Sequence, residues 1–142
     1  MDTFSEPIPP FERFGFDIID RAFGGPQLQP WENDYARIFW QCLEVANGGF
    51  EQWIGNTGKA GVIETLEALE RFSLFEALRI TKEVFDLVNL DTYDENAHYE
   101  HLNKTIDWFA KLRVLDEAFW GEIENIHGTL KTVHQSRIVE MQ

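Results

Sequence analysis

Apolar residues recur at helical spacing along most of the chain, and short polar or glycine-rich breaks divide this pattern into segments. The first periodic run covers residues 11–23 and stops at Gly24-Gly25-Pro26, a sequence typical of a helix end. A second run over 31–46 is strongly amphipathic and ends at Asn47-Gly48-Gly49. Residues 1–10 hold three of the five prolines and show no periodicity, so we expect a loose N-terminal arm there.

The rest of the chain also favours helices. Ser73 and Glu76 fit a capping box, in which the Ser73 side chain would cap a helix that runs to about Asn89. Asp91 to Asp94 forms a polar break. The remaining stretches predict a short helix over 50–54, a loop over 55–58, a helix over 62–72, a helix over 95–112 and one or two last helices within 115–139.

These elements predict the fold class. No five-residue stretch alternates apolar and polar residues between hairpin turns, so we expect no strand. The predicted fold is all-α, an irregular bundle of about six to eight helices. A length of 142 residues with 44% hydrophobic residues suffices for one core, and we expect a single helical domain over 11–142.

The charge balance narrows the classes of function. The chain carries 25 acidic and 12 basic residues, a net charge of −13. Such a surface repels nucleic acid and anionic membranes, and it attracts the basic faces of other proteins. An acidic surface that serves only solubility is the alternative.

The location of the protein is also constrained by the sequence. No run of about 18 apolar residues exists, so we expect no membrane span. The N-terminus lacks the basic and apolar regions of a secretory signal. The single cysteine, Cys42, cannot form an internal disulfide, and its place on an apolar helix face predicts a buried, unreactive thiol. We therefore expect a cytoplasmic protein.

The most distinctive stretch extends from Asn47 to Gly58. Its two adjacent glycines allow a tight turn between helices, and Phe50, Trp53 and Ile54 can anchor that turn in the core. Gln52 and Asn56 are four residues apart and share a helix face. We expect their amides to satisfy backbone groups that the broken helix exposes. A polar notch that binds a ligand is the alternative.

A family resemblance rests on this stretch. The pattern Asn47-Gly48-Gly49-Phe50-x-Gln52-Trp53-x-x-Asn56-x-x-Gly58, followed by a helix rich in Leu and Glu, resembles the DNA-mimic-protein-like domain family. The similarity extends from Trp31 to Val88. It returns at Leu115-Asp116-Glu117-Ala118-Phe119, which is similar to the family's late Leu-Asp-x-x-Phe segment.

The resemblance implies an acidic, all-helical domain that stands in for DNA. Such a domain would present carboxylates to a DNA-binding transcription factor, block operator binding and dimerise. The imitating carboxylates of this family lie on a surface outside the Asn-Gly-Gly-Phe motif. The resemblance therefore assigns no binding residue to this chain.

The charge distribution suggests where a partner would bind. Ten acidic and three basic residues lie between Glu64 and Glu100, a net charge of −7 within that segment. Glu64, Glu67 and Glu70 recur every third residue, which spaces them about 4.5 Å along a helix axis. Neighbouring phosphates of one DNA strand advance about 3.4 Å. An ordinary solvated helix face is the alternative. The predicted partner-binding acids are Glu64, Glu67, Glu70, Glu76, Glu83, Asp86, Asp91, Asp94 and Glu95.

Few residues in the sequence suggest a catalytic or metal-binding site. His98 and His101 form a His-x-x-His pair that, with Glu95, could hold a metal ion. A solvent-facing polar turn is the alternative, and it is the simpler explanation. His127 and His134 are seven residues apart and could share a late helix face. The stretch Gly55–Lys59 lacks the full phosphate-loop pattern, and no nucleophile with a neighbouring base is recognisable. We expect no enzymatic activity and no cofactor.

Three functional hypotheses follow. The leading one is an acidic protein-binding domain that imitates DNA, occupies the DNA-binding surface of a transcription regulator or nucleoid-type protein, and forms a homodimer. The second is an immunity or adaptor module that neutralises a basic protein without imitating DNA, through charge and an apolar hot spot. The third is a metal-binding protein that uses His98 and His101.

Overall fold

The structure, a computed structural model, describes residues 8–24, 28–88 and 106–141. Within these ranges the chain forms helices without strands, which confirms the all-α prediction. The helices are α1 (Pro10–Gly24), α2 (Pro30–Arg71), α3 (Phe75–Val88) and α4 (Ile106–Met141).

The predicted number of six to eight helices is wrong for the described ranges, which contain four. The predicted breaks near residues 47–49 and 55–58 redirect α2 without ending it. Only Gly49 (φ 77°, ψ −177°) and Gly58 (φ 75°, ψ 168°) leave helical geometry, and the helix resumes directly after each. Near residue 114, α4 continues unbroken, because no glycine or proline interrupts it there. The polar break at 91–94 lies outside the described residues.

The corner between α2 and α3 differs from the predicted capping box. Ser73 has a left-handed backbone (φ 57°) and follows the end of α2. The Ser73 N–H donates to the Glu70 carbonyl at 3.0 Å, and the Leu74 N–H donates to the Leu69 carbonyl at 2.9 Å. These bonds define a Schellman motif that satisfies the last carbonyls of α2. The Leu74 carbonyl accepts the first bond of α3, from Leu78 at 2.9 Å, so Leu74 takes the N-cap position predicted for Ser73.

The core lies where α2 meets the other three helices. α1 packs on α2 so closely that a Cβ on Gly15 would lie 2.5 Å from the Phe39 ring. The Tyr35 hydroxyl donates to the Phe11 carbonyl at 2.7 Å, which ties the two helices together. α3 and α4 also pack against each other and cover α2. The largest fully buried side chains are Trp53, Tyr35, Phe39, Phe50, Phe119, Ile18, Ile38, Ile54, Leu69, Ile80 and Ile126.

Candidate functional site

The break at Gly49 is completed by side chains of α4. Because Gly49 is not helical, the Phe50 N–H loses the partner that a continuous helix would offer. Trp120 Nε1 donates to the Val45 carbonyl at 2.8 Å, and Asp116 Oδ1 accepts from the Phe50 N–H at 2.8 Å. One helix therefore caps both sides of the break in another.

Aromatic packing in the same region joins the two motif segments. Phe50 is fully buried, and its ring lies 5.2 Å from the Phe119 ring in an edge-to-face contact. Trp53 packs on Phe50 at 5.9 Å. Leu115 of α4 is buried as well. The segments Asn47–Gly58 and Leu115–Phe119 thus form one structural unit, although they are distant in sequence.

The amides of Gln52 and Asn56 have a different partner from the one predicted. Both donate to Glu44 Oε2, at 3.0 and 2.8 Å respectively, whereas we expected them to bond backbone groups. Asn47 Nδ2 donates to Gln52 Oε1 at 3.3 Å and extends this network. Glu44 is 9% exposed, and the two donors compensate for the burial of its carboxylate. The sequence pattern did not indicate Glu44, although this residue lies on the same helix one turn before the motif.

Asp116 was predicted only as part of the late segment and has a specific role in the structure. Burial raises the pKa of its carboxyl above the usual range, against the opposing effects of the Phe50 N–H bond and Arg113. A Cβ on Gly49 would lie 2.7 Å from Asp116 Oδ2. The close approach of carboxylate and backbone therefore requires glycine at that position.

The structure describes only part of the predicted acidic surface. Six of its members lie on the solvent sides of the last part of α2 and of α3, and all six are exposed. They are Glu64, Glu67, Glu70, Glu76, Glu83 and Asp86, which we call the α2–α3 surface. Asp91, Asp94 and Glu95 lie outside the described residues, as does Glu100.

Arginines neutralise part of this surface. Arg79 lies between two carboxylates of α3, with Nε 3.1 Å from Glu76 Oε2 and Nη1 2.7 Å from Glu83 Oε1. The Arg79 hydrogen bond lowers the pKa of the Glu76 carboxyl. Arg37 contacts Glu64 at 2.8 Å. Glu70 and Asp86 make no ion pair with any residue that the structure describes.

Arg71, which the sequence places within the acidic segment, neutralises a different carboxylate. Its Nε and Nη2 atoms donate to the two oxygens of Asp34, each at 2.7 Å. The nearest approach of Arg71 to Glu67 is 3.9 Å. Asp34 is buried, so this bidentate pair joins the first and last parts of α2.

Exposed carboxylates also occur outside the predicted segment. Asp17 and Asp20 on α1 and Glu124 on α4 are exposed, and within the described ranges they have no ion-pair partner. The charge pattern along the sequence did not indicate these acids, because they are not clustered along the chain. They provide a charge-matched comparison for the α2–α3 surface.

The family of the chain follows from comparison with known proteins. The family model described as DMP19-like protein matches residues 26–135. The chain belongs to the DMP19-like family. The match includes both motif segments and confirms the resemblance found in the sequence. It supports a DNA-mimic-type domain in general. No curated protein and no solved structure matches the chain.

The remaining candidate groups of this DMP19-like domain are its cysteine and the predicted metal ligands. Cys42 is buried as predicted, and burial raises the pKa of its thiol to about 12. His98, His101 and Glu95 lie outside the described residues. In the ranges that the structure describes, no group of three His, Cys, Asp or Glu residues could hold a metal ion. No helix within those ranges is long and apolar enough to cross a bilayer.

Proposed function

We propose that this DMP19-like domain binds a basic, DNA-binding protein through the α2–α3 surface. The family match carries this proposal, because it favours a domain of the DNA-mimic type. The position of the carboxylates supports it, since all six project to solvent from packed helices. Asp91, Asp94 and Glu95 follow directly in sequence, and we propose them as further members of the surface.

The arginine pairs refine which carboxylates a partner would contact. Glu70 and Asp86 are available without breaking an ion pair of the described chain, and Glu67 is only loosely paired at 3.9 Å. A partner's Lys and Arg side chains would exchange phosphates for these carboxylates. Binding should therefore weaken steeply with salt, as DNA binding does, and fail as the pH falls towards about 4.

A matched pair of variants tests the proposed surface. Partners captured from lysate on the immobilised domain would be identified, and their affinity measured across a NaCl series. We expect Glu67→Gln/Glu70→Gln/Asp86→Asn to weaken binding and to reduce the salt dependence by about one unit of log–log slope per lost contact. Asp17→Asn/Asp20→Asn/Glu124→Gln removes the same charge elsewhere and should bind nearly as the wild type does.

Three outcomes would contradict the proposal. Equal weakening by both triple variants would mean that net charge alone attracts the partner. Partners that do not bind DNA, or capture that is indifferent to salt, would exclude imitation of DNA. The proposal also predicts that duplex DNA displaces the domain from its partner, because the DNA and the domain would occupy one surface of that partner.

One observation favours the second hypothesis, a module that neutralises a basic protein without imitating DNA. Phe75 is 63% exposed on the outer side of α3, next to Glu76. An aromatic side chain of this kind can enter a pocket on a partner and supply a hot spot. If Phe75→Ala weakens binding strongly while duplex DNA does not compete, this alternative is correct.

The assembly and location that we expected from the sequence stay predictions. We propose a homodimer in the cytoplasm that regulates transcription through its partner and has no catalytic activity of its own. Light scattering coupled to gel filtration tests the dimer directly. A monomer at all accessible concentrations would contradict that part of the proposal.

A further inference from the structure

Arg71 is the last residue of α2 and lies beside the carboxylates of the α2–α3 surface, but its guanidinium binds a carboxylate outside that surface. Its Nε and Nη2 atoms each donate to Asp34 at 2.7 Å, whereas its distance to Glu67 is 3.9 Å. Asp34 is only 6% exposed and precedes Arg71 by 37 residues in the chain. A buried carboxylate therefore holds an exposed cation away from an exposed row of acids.

The position of Arg71 on α2 would by itself favour a pair with Glu67. A glutamate four residues before a basic residue is the favourable order for an ion pair on a helix. Glu67 and Glu70 do act on Arg71: its pKa is raised mainly by the hydrogen bond to Asp34, and these two glutamates add to that effect. The two-bond contact with the sheltered Asp34 is the stronger one, because exposed single pairs are worth little. Arg71 therefore satisfies Asp34 and leaves Glu67 only loosely paired.

Arg79 shows the opposite arrangement on α3. Its ion-pair partners in the described part of the chain, Glu76 and Glu83, are both exposed members of the α2–α3 surface. Its guanidinium thus covers two carboxylates that a partner could otherwise contact. The number of acids available on each helix therefore depends on whether the neighbouring arginine binds a carboxylate inside the surface or outside it.

We propose that Asp34 is a positioning residue for the binding of a basic partner: it binds Arg71 and thereby keeps Glu67 and Glu70 available to that partner. This inference rests on the function proposed for the α2–α3 surface. Asp34 is buried and would act only through Arg71. Without the Asp34 charge, Arg71 would pair with Glu67 and compete with the partner's own cations. The Arg71 side chain is 55% exposed, so its released charge would remain in solvent and the domain should still fold.

Glu32 provides a matched control for Asp34. It is also a carboxylate in the first part of α2, it is 9% exposed, and it accepts a hydrogen bond from an exposed arginine, Arg21 of α1. Within the described chain, Arg21 forms no ion pair with the α2–α3 surface. Loss of either carboxylate changes the net charge equally and releases one arginine. Only the loss of Asp34 releases that arginine next to Glu67.

Binding of a labelled oligo-arginine peptide to the full chain tests this role, because the peptide presents the guanidinium groups of a basic partner. At low salt we expect Asp34→Asn to weaken binding about two- to fivefold relative to Glu32→Gln. The difference should shrink as NaCl is added, because salt screens the competing arginine. Asp34→Asn/Arg71→Gln should recover the wild-type affinity, because the competing cation is removed. A purely structural role of Asp34 would not be rescued in this way.

Two results would overturn the role of Asp34. One is equal affinity of Asp34→Asn and Glu32→Gln for the peptide, and the other is binding by the double variant as weak as that of Asp34→Asn. The double variant leaves no unpaired buried charge, so it gives a test even if Asp34→Asn does not fold. Its affinity should equal that of the wild type, whereas Arg79→Gln should bind more tightly because it uncovers two carboxylates. Equal tightening in both would mean that Arg71 already competes in the wild type.

The two triple variants described above separate this inference from the proposed function. If the variant of the α2–α3 surface and its charge-matched control bind the peptide equally, that surface is not the binding site and the proposed function fails. If the surface variant binds more weakly while Asp34→Asn and Glu32→Gln do not differ, the surface is correct and only the role of Asp34 is wrong. Weakening by both the surface variant and Asp34→Asn is the result that we expect.

Discussion

Gly49 and Gly58 adopt nearly the same backbone conformation in different surroundings. Both have a positive φ and an extended ψ, a region that is almost restricted to glycine. A Cβ on Gly49 would meet the Asp116 carboxylate, whereas a Cβ on Gly58 would meet no atom within 4 Å. The two positions therefore separate the cost of backbone strain from the cost of a steric clash.

Alanine substitutions should reveal this difference. Gly58→Ala should lower the free energy of unfolding by about 1–3 kcal/mol through backbone strain. Gly49→Ala should cost more, because strain and contact with Asp116 add together. Gly55→Ala is the control: it lies in helical backbone with open space around a Cβ, and should gain up to about 1 kcal/mol. Urea denaturation measures the free energy of unfolding of all three variants. Equal losses in Gly49→Ala and Gly58→Ala would contradict the close approach of Asp116 to Gly49.

Asp116 gives a prediction that distinguishes capping from charge. Asp116→Ala leaves the Phe50 N–H without its acceptor and should cost about 1–2 kcal/mol, as the loss of an N-cap does. Asp116→Asn retains an acceptor and should cost less. The measurement is urea denaturation at pH 7, with both variants compared with the wild type.

The same pair of proteins, wild type and Asp116→Asn, should respond differently to pH. The Asp116 pKa is raised in the folded state, so its contribution to stability is greatest below about pH 4 and is lost as the pH rises through the raised value. Relative to the wild type, Asp116→Asn should therefore gain stability between pH 4 and 7. A relative loss over that interval would show that the ionised carboxylate is favoured in the fold.

At the scale of the helices, sequence periodicity predicted the positions of the helices more accurately than the residues at which they begin and end. The apolar spacing in 11–23 and the stop at Gly24 agree with α1, since both follow from local chemistry. Ser73 and Glu76 matched a capping pattern but occupy other roles. The end of α2 takes Ser73 as its left-handed C′ residue, and Glu76 pairs with Arg79. Two competing local patterns overlapped there, and packing of Leu69 and Leu74 in the core selected one.

Ser73 is therefore a position where glycine should be better than the native residue. Ser73→Gly relieves the left-handed backbone and should raise the free energy of unfolding by about 0.5–1 kcal/mol. Ser73→Ala is the control and should give no gain, because alanine has a Cβ as serine does. Thermal and urea denaturation both report the change. A loss in Ser73→Gly would mean that the serine side chain supports the corner.

For the whole molecule, the charge of −13 should dominate the response to salt. Surface ion pairs such as Arg37–Glu64 are individually worth little, whereas the repulsion among 25 acids acts over the entire surface. Adding NaCl from about 10 to 200 mM screens both effects. We expect a net gain in stability, with the melting temperature rising by about 3 °C for each kcal/mol of repulsion removed. A fall in melting temperature would show that the ion pairs outweigh the repulsion.

The acidic surface shows how far a linear pattern informs a three-dimensional one. The row Glu64, Glu67 and Glu70 is exposed, as helical spacing implies. The sequence could not predict which of these carboxylates are neutralised. Arg37 is distant in sequence from Glu64, with which it pairs, and Arg71 pairs with Asp34. The acids most available to a partner are thus a subset that only the folded chain defines.

The sequence by itself determined the helical class, the buried faces and the acidity, because periodicity, propensity and charge are local properties of the chain. It also carried the family motif at 47–58. The tertiary structure decided what that motif is for: Asp116 and Trp120 of α4 cap the break at Gly49, and Glu44 binds the amides of Gln52 and Asn56. Such bonds depend on which helix faces meet in the core, and periodicity along one helix does not contain that information.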